Sequence, residues 1–211
     1  RKSKGTPVAW SFALTNPFGL ITDWSSNPNF PGRYSAWRTD LRTFDYALNG
    51  AMDFGGGFAG SIGVDYLSAD LRNFSKWVMV PVQIGPTTFV HANMLQDLEG
   101  TGHKFGYNAA LHYKGQGWSA GLVYRSKFVL KANGNATFAP RDVIEPLPPD
   151  VAAAVLAGVA KSFPSGSAAG ELRLPSTWGL GVAYTALQNW QFELDVQRIQ
   201  WSEFDQIPVH F

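Results

Sequence analysis

The segment Thr43-Phe44-Asp45-Tyr46-Ala47-Leu48-Asn49-Gly50-Ala51-Met52-Asp53-Phe54 alternates large apolar side chains with polar or small ones. Successive side chains of a β-strand point to opposite faces, so a period of two gives each set its own surface. One surface here is apolar and the other is polar. A strand that offers one face to lipid and the other to water is typical of a transmembrane β-barrel.

Short turns and long connections alternate along the chain. Three tight turns, Gly55-Gly56-Gly57, Gly115-Gln116-Gly117 and Leu187-Gln188-Asn189, each join two long strands. The predicted long loops cover Ser25–Asp40, Asn73–Gly102 and Ala132–Gly170. In an outer-membrane barrel the short turns face the periplasm and the long loops face outside. The sequence therefore predicts an antiparallel transmembrane barrel with a defined orientation.

The other strands repeat the alternation. The first is predicted at Pro7–Leu14, and Arg125 and Lys127 are predicted to point inward. The later strands are predicted to place these side chains on the lipid face: Trp118, Leu122, Tyr124, Phe128, Leu130, Leu172, Leu174, Trp178, Leu180, Val182 and Tyr184. Trp118 and Trp190 follow short turns and Trp201 lies toward the opposite end, which suits two interfacial aromatic belts.

Composition excludes several functions. The 211 residues carry a net charge of +1 and no cysteine, so neither a basic nucleic-acid surface nor a thiolate metal site is indicated. The longest apolar segment, Val151–Val159, is shorter than the ~20 residues of a transmembrane helix. The four histidines form no i,i+4 metal pair, and we predict no enzyme activity, no metal and no cofactor.

The last long loop contains a predicted short helix. Pro148 and Pro149 precede Asp150, a suitable N-cap, and apolar residues then recur at helical spacing until Pro164 and Gly166 end the pattern. The apolar positions are Val151, Val155, Val159 and Phe163. Such a stripe needs a partner, which is either the mouth of the barrel or a hydrophobic ligand.

A second feature interrupts the first strand. Pro17 cannot donate a hydrogen bond to a sheet, and Gly19 tolerates the dihedral angles of a bulge. Asn16–Gly19 is therefore predicted to break strand pairing. The break is either an opening in the barrel wall or an ordinary strand end before a loop.

Two other architectures compete with a transporter. A soluble lipocalin-like barrel also binds lipids, but its outward side chains are polar, whereas Phe44, Leu48, Met52, Trp178 and Leu180 are apolar. A structural or adhesive outer-membrane barrel would share the strand pattern and lack transport.

In several segments the chain resembles the FadL/TodX family of outer-membrane transporters for long-chain fatty acids and other hydrophobic compounds. The segments that carry the resemblance are Asn16-Pro17-Phe18-Gly19-Leu20 with Thr22 and Trp24, Gly32-Arg33-Tyr34, Phe105-Gly106-Tyr107-Asn108, Tyr124-Arg125-Ser126, Leu174-Pro175 with Trp178, and Trp201-Ser202 with Phe204. Their order and spacing resemble the middle of that family's chain.

The resemblance implies a bacterial outer-membrane barrel of about 14 strands with an N-terminal hatch and a lateral opening at a kinked third strand. Residues 1–211 then form a single partial barrel domain of about 7–8 strands, without the hatch and the C-terminal strands, and with a short helix in an extracellular loop. The complete barrel is expected to be a monomer among outer-membrane lipids, and to take up fatty acids, alkanes or aromatic hydrocarbons passively.

The resemblance and the pattern together suggest site residues. The lateral gate is predicted at Asn16, Pro17, Phe18 and Gly19. Ligand contacts are predicted for Leu67, Leu71, Arg72, Phe89, Met94, Arg125, Val155, Val159 and Phe163. Arg72 lies near the position of the family's pocket arginine. Arg125 either binds a carboxylate ligand or pairs with an inward acid.

Overall fold

The computed structural model describes residues 8–185, 190–203 and 209–210. The predicted turn at Leu187–Asn189 lies outside them, as do Pro7 and Phe211. The described strands are β1 (Val8–Thr15), β2 (Gly19–Asp23), β3 (Arg38–Gly55), β4 (Phe58–Gln83), β5 (Phe89–Lys114), β6 (Trp118–Arg125), β7 (Phe128–Val143), β8 (Gly166–Leu174), β9 (Thr177–Tyr184), β10 (Phe192–Ile199) and β11 (Val209–His210). Short 3-10 turns occupy Pro31–Tyr34 and Trp201–Glu203, and helix α1 covers Pro149–Ser162.

All described strands belong to one antiparallel sheet, which is not closed. Its main order is β1-β3-β4-β5-β6-β9-β10, while β2, β7, β8 and β11 continue the wall beyond breaks in the strands. The sheet is strongly curved. The evidence is that Arg125 Nη2 on β6 lies 3.4 Å from Asp45 Oδ2 on β3. Three strand spacings in a flat sheet would separate them by about 14 Å. We call the concave face with Asp45 the inner face and the opposite one the outer face.

The outer face is apolar, as the alternation predicts. Phe44, Leu48, Trp178 and Leu180 are 41–55 % exposed, with no second protein layer over them. A lipocalin-like can, with polar outward side chains, does not match this surface. The four residues lie where lipid would solvate them.

Aromatic side chains form two rows on the outer face. At the end of the sheet with the short turns, the ring centroids of Phe58 and Tyr113 lie 4.7 Å apart and those of Trp118 and Tyr184 lie 4.4 Å apart. The other row runs through Tyr46, Tyr66, Phe105, Tyr107, Tyr124 and Trp178. Eight residues of β4 separate Phe58 from Tyr66, which is about 26 Å along a strand. That spacing suits the apolar band of a membrane barrel.

Glycine forms the first turn. Gly55, Gly56 and Gly57 have φ angles of 80°, 63° and 88°, which other residues adopt with difficulty. A Cβ on Gly57 would also lie 2.2 Å from the Lys114 carbonyl oxygen. The turn therefore requires glycine, and it sets the register of the β3–β4 hairpin.

The predicted loop at Asn73–Gly102 is wrong. β4 runs to Gln83 and β5 starts at Phe89, so these two 26-residue strands form a hairpin that extends about 55 Å beyond Tyr66. The loop predicted at Ala132–Gly170 is likewise replaced in part by strands, since β7 reaches Val143 and β8 starts at Gly166. The loop predicted at Ser25–Asp40 is three residues shorter, because β3 starts at Arg38.

Helix α1 is present where the sequence predicts it, but Asp150 is not its N-cap. The cap position is Pro148, and Asp150 lies in the first turn. Proline suits the first turn because its missing N–H would have no partner there. No helix in the described part of the chain is long and apolar enough to cross a membrane.

Candidate ligand site and wall break

The wall breaks between β1 and β2. The last pair of β1 with β3 is Thr15 with Asp45, and the first pair of β2 with β3 is Gly19 with Arg42. Three residues, 16–18, thus face two residues of β3, 43 and 44. One extra residue on one strand is a β-bulge, which bends the strand and interrupts its pairing. The predicted break at Asn16–Gly19 is present.

Polar contacts with Thr43 hold the bulge in place. The Phe18 amide donates to Thr43 Oγ1 at 3.1 Å, and the Thr43 hydroxyl donates to the Phe18 carbonyl oxygen. The side-chain amide nitrogen of Asn16 points toward two carbonyl oxygens and donates to that of Phe18 at 2.9 Å and that of Thr43 at 3.0 Å. Side chains thus replace the backbone bonds that the bulge removes. Thr43 is fully buried, and the strand alternation alone gave no sign of this role.

Gly19 plays a smaller part than the sequence suggested. Its φ is not among the positive values, and an added Cβ would meet only Asn16 Oδ1 at 3.4 Å and the Leu41 carbonyl oxygen at 3.8 Å. Both distances are close to ordinary contact. The bulge therefore depends on Asn16, Pro17 and Thr43 more than on the backbone freedom of glycine.

A buried apolar cluster lies beside the break. Its buried members come from β4, β7 and β8: Leu67, Ala69, Phe128, Leu130 and Leu174. Phe18, Leu41 and Leu172 pack against them and are only partly buried. Phe18 thus belongs both to the bulge and to the cluster. Leu71 is the Cα partner of Leu41, which places it at the edge of this inner apolar cluster.

Phe128, Leu130, Leu172 and Leu174 were predicted to face lipid, and that prediction is wrong. β6 and β7 are separated by Ser126 and Lys127, and β8 and β9 by Pro175 and Ser176. The pairs Arg125–Thr177 and Phe128–Leu174 keep these two chain segments in register with each other. Against β5, which pairs Asn108 with Arg125 and Gly102 with Ala132, the segment from β6 to β7 has one extra residue. An extra residue exchanges the two faces of the following strand. The apolar side chains of β7 and β8 consequently turn inward.

Charged groups lie next to the cluster on the inner face. Asp45 and Asp65 are fully buried, and Arg125 Nη2 lies 3.4 Å from Asp45 Oδ2. Asn108 Nδ2 donates to Asp65 Oδ1 at 2.7 Å. Of the two readings left open for Arg125, the structure shows the pairing with an inward acid. Its partner is Asp45.

Arg72 does not join the inner apolar cluster. It is the extra residue of a bulge between Leu71 and Phe74, and its Nε donates to Asp70 Oδ2 at 3.0 Å. Asp70 shares the outer face with its partner Arg42. The Arg72 side chain thus lies with Asp70 and away from Leu67 and Leu71, and its ligand-binding role stays a prediction.

The residues predicted to contact ligand at the far end of the hairpin fall into two groups, one buried and one exposed. Met94, Val155 and Val159 are buried in a second cluster with Val90 and Ala92, where α1 packs on the extended strands. The apolar stripe of α1 is therefore covered mainly by protein. Phe89 is 56 % exposed and Phe163 is 37 % exposed. These two aromatic side chains remain accessible to a ligand from solution.

Hydrogen bonds between His91 and Glu145 join β5 to the segment after β7 near the far end of this extension. Glu145 accepts hydrogen bonds from the His91 backbone amide and contacts His91 Nδ1, both at 2.7 Å. The backbone amide of His91, followed by its ring, lowers the pKa of Glu145 below its ordinary value. No sequence pattern indicates this contact, because it joins residues 54 positions apart.

The two aromatic rows, the apolar outer face and the inward-curved antiparallel wall define the class: this is part of an outer-membrane-type β-barrel. The sequence profile of the outer membrane protein transport proteins (OMPP1/FadL/TodX) matches residues 4–211, and the chain belongs to this family. A comparison with curated protein sequences finds no match.

Solved structures have the same fold. A Pseudomonas aeruginosa FadL homologue superposes with a TM-score of 0.77 at 17 % identity, over 96 % of this chain and 47 % of that one. The CymD monoaromatic hydrocarbon channel gives 0.65 at 12 % identity, over 98 % and 54 %. The P. putida toluene transporter TodX gives 0.60 at 12 % identity, over 95 % and 52 %. The chain spans about half the length of these structures.

Proposed function

We propose that the complete protein admits hydrophobic small molecules passively across the outer membrane, and that they leave through the wall at Asn16–Gly19. One observation carries the proposal: Phe18 lies in the β1–β2 bulge and also packs on the inner apolar cluster. A ligand held at the cluster would need to pass only this side chain to reach the membrane. The family's transport role and the names of the related channels support the same reading.

The hairpin end of the sheet faces outside in this proposal. The short turn at Gly55–Gly57 lies at one end, and the extension formed by β4, β5, β7 and α1 lies at the other. Outer-membrane barrels have short periplasmic turns and longer extracellular segments. Phe89 and Phe163 are then placed for first contact with a ligand.

Transport requires no chemistry in this mechanism. A hydrophobic ligand gains about 25 cal/mol for each Å² of apolar surface removed from water, and it then follows its concentration gradient. The protein supplies apolar contacts along the route, at the exposed aromatic side chains, the inner apolar cluster and the bulge. Neither a cofactor nor an energy source is part of the route.

The ligand class in this proposal comprises fatty acids and aromatic or aliphatic hydrocarbons. Arg125 is paired with Asp45, and Arg72 is paired with Asp70 on the outer face. Neither arginine is placed as a carboxylate receptor at the inner apolar cluster. The contacts therefore favour uncharged hydrocarbons over fatty acids. We further propose that the complete barrel acts as a monomer surrounded by outer-membrane lipid.

Uptake by cells that produce the complete protein tests the proposal. Radiolabelled toluene, a long-chain alkane and a long-chain fatty acid would be supplied to a strain without its own transporter of this type. Faster accumulation of at least one of them than in the empty strain is expected, with toluene or the alkane ahead of the fatty acid. A small sugar should enter at the same rate with and without the protein.

Equal accumulation of all hydrophobic probes with and without the protein would contradict the proposal and favour a structural or adhesive barrel. Protease treatment of intact cells tests the orientation separately. Cleavage within residues 84–88 at the hairpin tip, with the turn at Gly55–Gly57 left intact, is the expected pattern.

A further inference from the structure

The outer face carries a hollow where β6 and β8 are interrupted. It has a volume of about 450 Å³, and its lining includes Tyr107, Tyr124, Ser126, Lys127 and Trp178. The hollow lies at the level of the residues that separate β6 from β7 and β8 from β9. Between its pairing with β7, which ends at Gly102, and with β6, which starts at Asn108, β5 is left without a strand partner on this side.

The hollow has aromatic walls at the level of one aromatic row. The ring centroids of Tyr107 and Tyr124 lie 5.8 Å apart, and those of Tyr124 and Trp178 lie 4.4 Å apart. Rings with an apolar body and a polar edge are enriched at the boundary between acyl chains and headgroups. An occupant of this hollow would thus meet acyl-chain chemistry and headgroup chemistry together.

Two cations flank Trp178 on the same face. Lys127 lines the hollow, contrary to the prediction that it points inward, and Arg198 is the Cα partner of Trp178 on β10. Both side chains are exposed, and neither takes part in an ion pair with the side chains of residues 8–185 and 190–202. The carboxylate of Glu171 on the adjoining β8 is held by Arg173 at 2.7 Å. The positive charge at the hollow therefore has no protein counterion among these pairs.

We propose that this hollow binds a phosphate-bearing lipid of the surrounding leaflet, with the phosphate at Lys127 and Arg198 and an acyl chain against Tyr107, Tyr124 and Trp178. An unpaired cation on a lipid-facing surface is favourable where an anionic headgroup neutralises it. Two cations would not favour the binding of an uncharged hydrocarbon in transit. The choice of lipid rests on the orientation given under the proposed function, which places the hollow in the outer leaflet.

Native mass spectrometry of the purified complete barrel with bisphosphorylated lipid A tests this site. The variant Lys127→Gln/Arg198→Gln should bind this lipid about thirtyfold more weakly, since each of the two basic groups near an anionic surface contributes about 1 kcal/mol. The matched control Arg141→Gln/Lys161→Gln removes one exposed arginine and one exposed lysine from β7 and α1. That control should retain lipid as the unmodified protein does.

Further arms separate the possible sources of a signal. The charge-conserving Lys127→Arg/Arg198→Lys variant should bind as before, and lipid A stripped of phosphate should bind the unmodified barrel weakly. Retention that is equal in the Gln variant, or equal for stripped lipid, would overturn the proposal. Displacement by millimolar inorganic phosphate would also overturn it in favour of a free-anion site. Heat-dependent migration on gels confirms that each variant is folded, and unchanged hydrocarbon uptake by the Gln variant separates this site from transport.

Discussion

Phe18 and Thr43 exchange two hydrogen bonds across the interrupted edge of the sheet. The Phe18 amide donates to Thr43 Oγ1 at 3.1 Å, and the Thr43 hydroxyl donates to the Phe18 carbonyl oxygen. A hydroxyl can accept and donate at once, so this one side chain satisfies both backbone groups that the bulge leaves unpaired. The same contact orients the Phe18 ring toward the inner apolar cluster, which joins the break to the proposed ligand route.

Replacing Thr43 with valine should loosen the bulge while keeping its volume. The Phe18 amide would lose its partner and the Phe18 carbonyl oxygen would keep only Asn16, at a cost of about 1–3 kcal/mol. We expect a lower unfolding temperature, followed by heat-dependent gel migration, and altered uptake of labelled hydrocarbon by the complete protein. Thr101→Val, at an exposed position on β5, is the control and should change neither. Equal behaviour of the two variants would show that Thr43 does not hold the break.

Gly19 tests whether the opening itself is used. A Cβ fits there in near-ordinary contact, so Gly19→Ala should be tolerated. Gly19→Val adds branched carbons at the bulge and should reduce hydrocarbon uptake several-fold without unfolding the barrel. Gly121→Ala, where a Cβ would meet nothing within 4 Å, controls for loss of a strand glycine. Undiminished uptake by a folded Gly19→Val protein would argue against lateral exit at this point.

The strand faces could be predicted wherever the period of two ran without interruption. Phe44, Leu48, Trp178 and Leu180 lie on the outer face as expected, because lipid on one side and a polar interior on the other leave little freedom of register. The break near Pro17 was also predictable, since proline cannot donate to the ladder. The sequence contained these features locally.

Strand length and strand phase could not be predicted in the same way. The long hairpin was missed because a strand needs only about 9–11 residues to cross a bilayer, whereas its pairing continues when another element covers it. Val155 and Val159 of α1 supply that cover for Val90, Ala92 and Met94. The inward turn of Phe128 and Leu174 depends on the one extra residue that the segment from β6 to β7 has against β5. Pro175 indicated locally that the pairing is interrupted, but it does not specify which face the side chains of the neighbouring strand occupy.

Gly106 and Phe128 should be coupled energetically. A Cβ on Gly106 would lie 2.4 Å from the Phe128 ring and 2.8 Å from Ser126 Oγ. Gly106→Ala therefore overpacks the inner apolar cluster and should cost about 1–3 kcal/mol in the free energy of unfolding. The double variant Gly106→Ala/Phe128→Leu relieves the clash and should lose less than the sum of its single variants. Additive losses in a double-mutant cycle would show that the two side chains do not meet.

Arg125 should prove more important for stability than for ligand binding. Its removal leaves Asp45 buried without its cation, and breaking such a pair costs about 3 kcal/mol, at the low end of the range because Arg125 is 31 % exposed. Arg125→Gln should therefore lower the unfolding temperature, and Asp45→Asn added to it should restore much of the loss. The exposed pair of Arg173 with Glu171 offers a control, since Arg173→Gln should lower the free energy of unfolding by less than about 1 kcal/mol. Specific loss of fatty-acid uptake by a stable Arg125→Gln/Asp45→Asn protein would instead indicate a carboxylate receptor.

The Glu145–His91 contact should make the hairpin extension sensitive to acid. The His91 amide and ring depress the pKa of Glu145 from its ordinary 4.5, so the stabilisation is complete above pH 4.5 and disappears as pH falls through the lower folded-state pKa. Acid-active protease should then cut residues 144–148 more rapidly as pH decreases below about 4.5. Glu145→Gln should be cut at a rate that varies less with pH, whereas Glu171→Gln, which alters a distant pair on β8, should keep the normal dependence. A pH profile unchanged in Glu145→Gln would show that another group controls the opening of this segment.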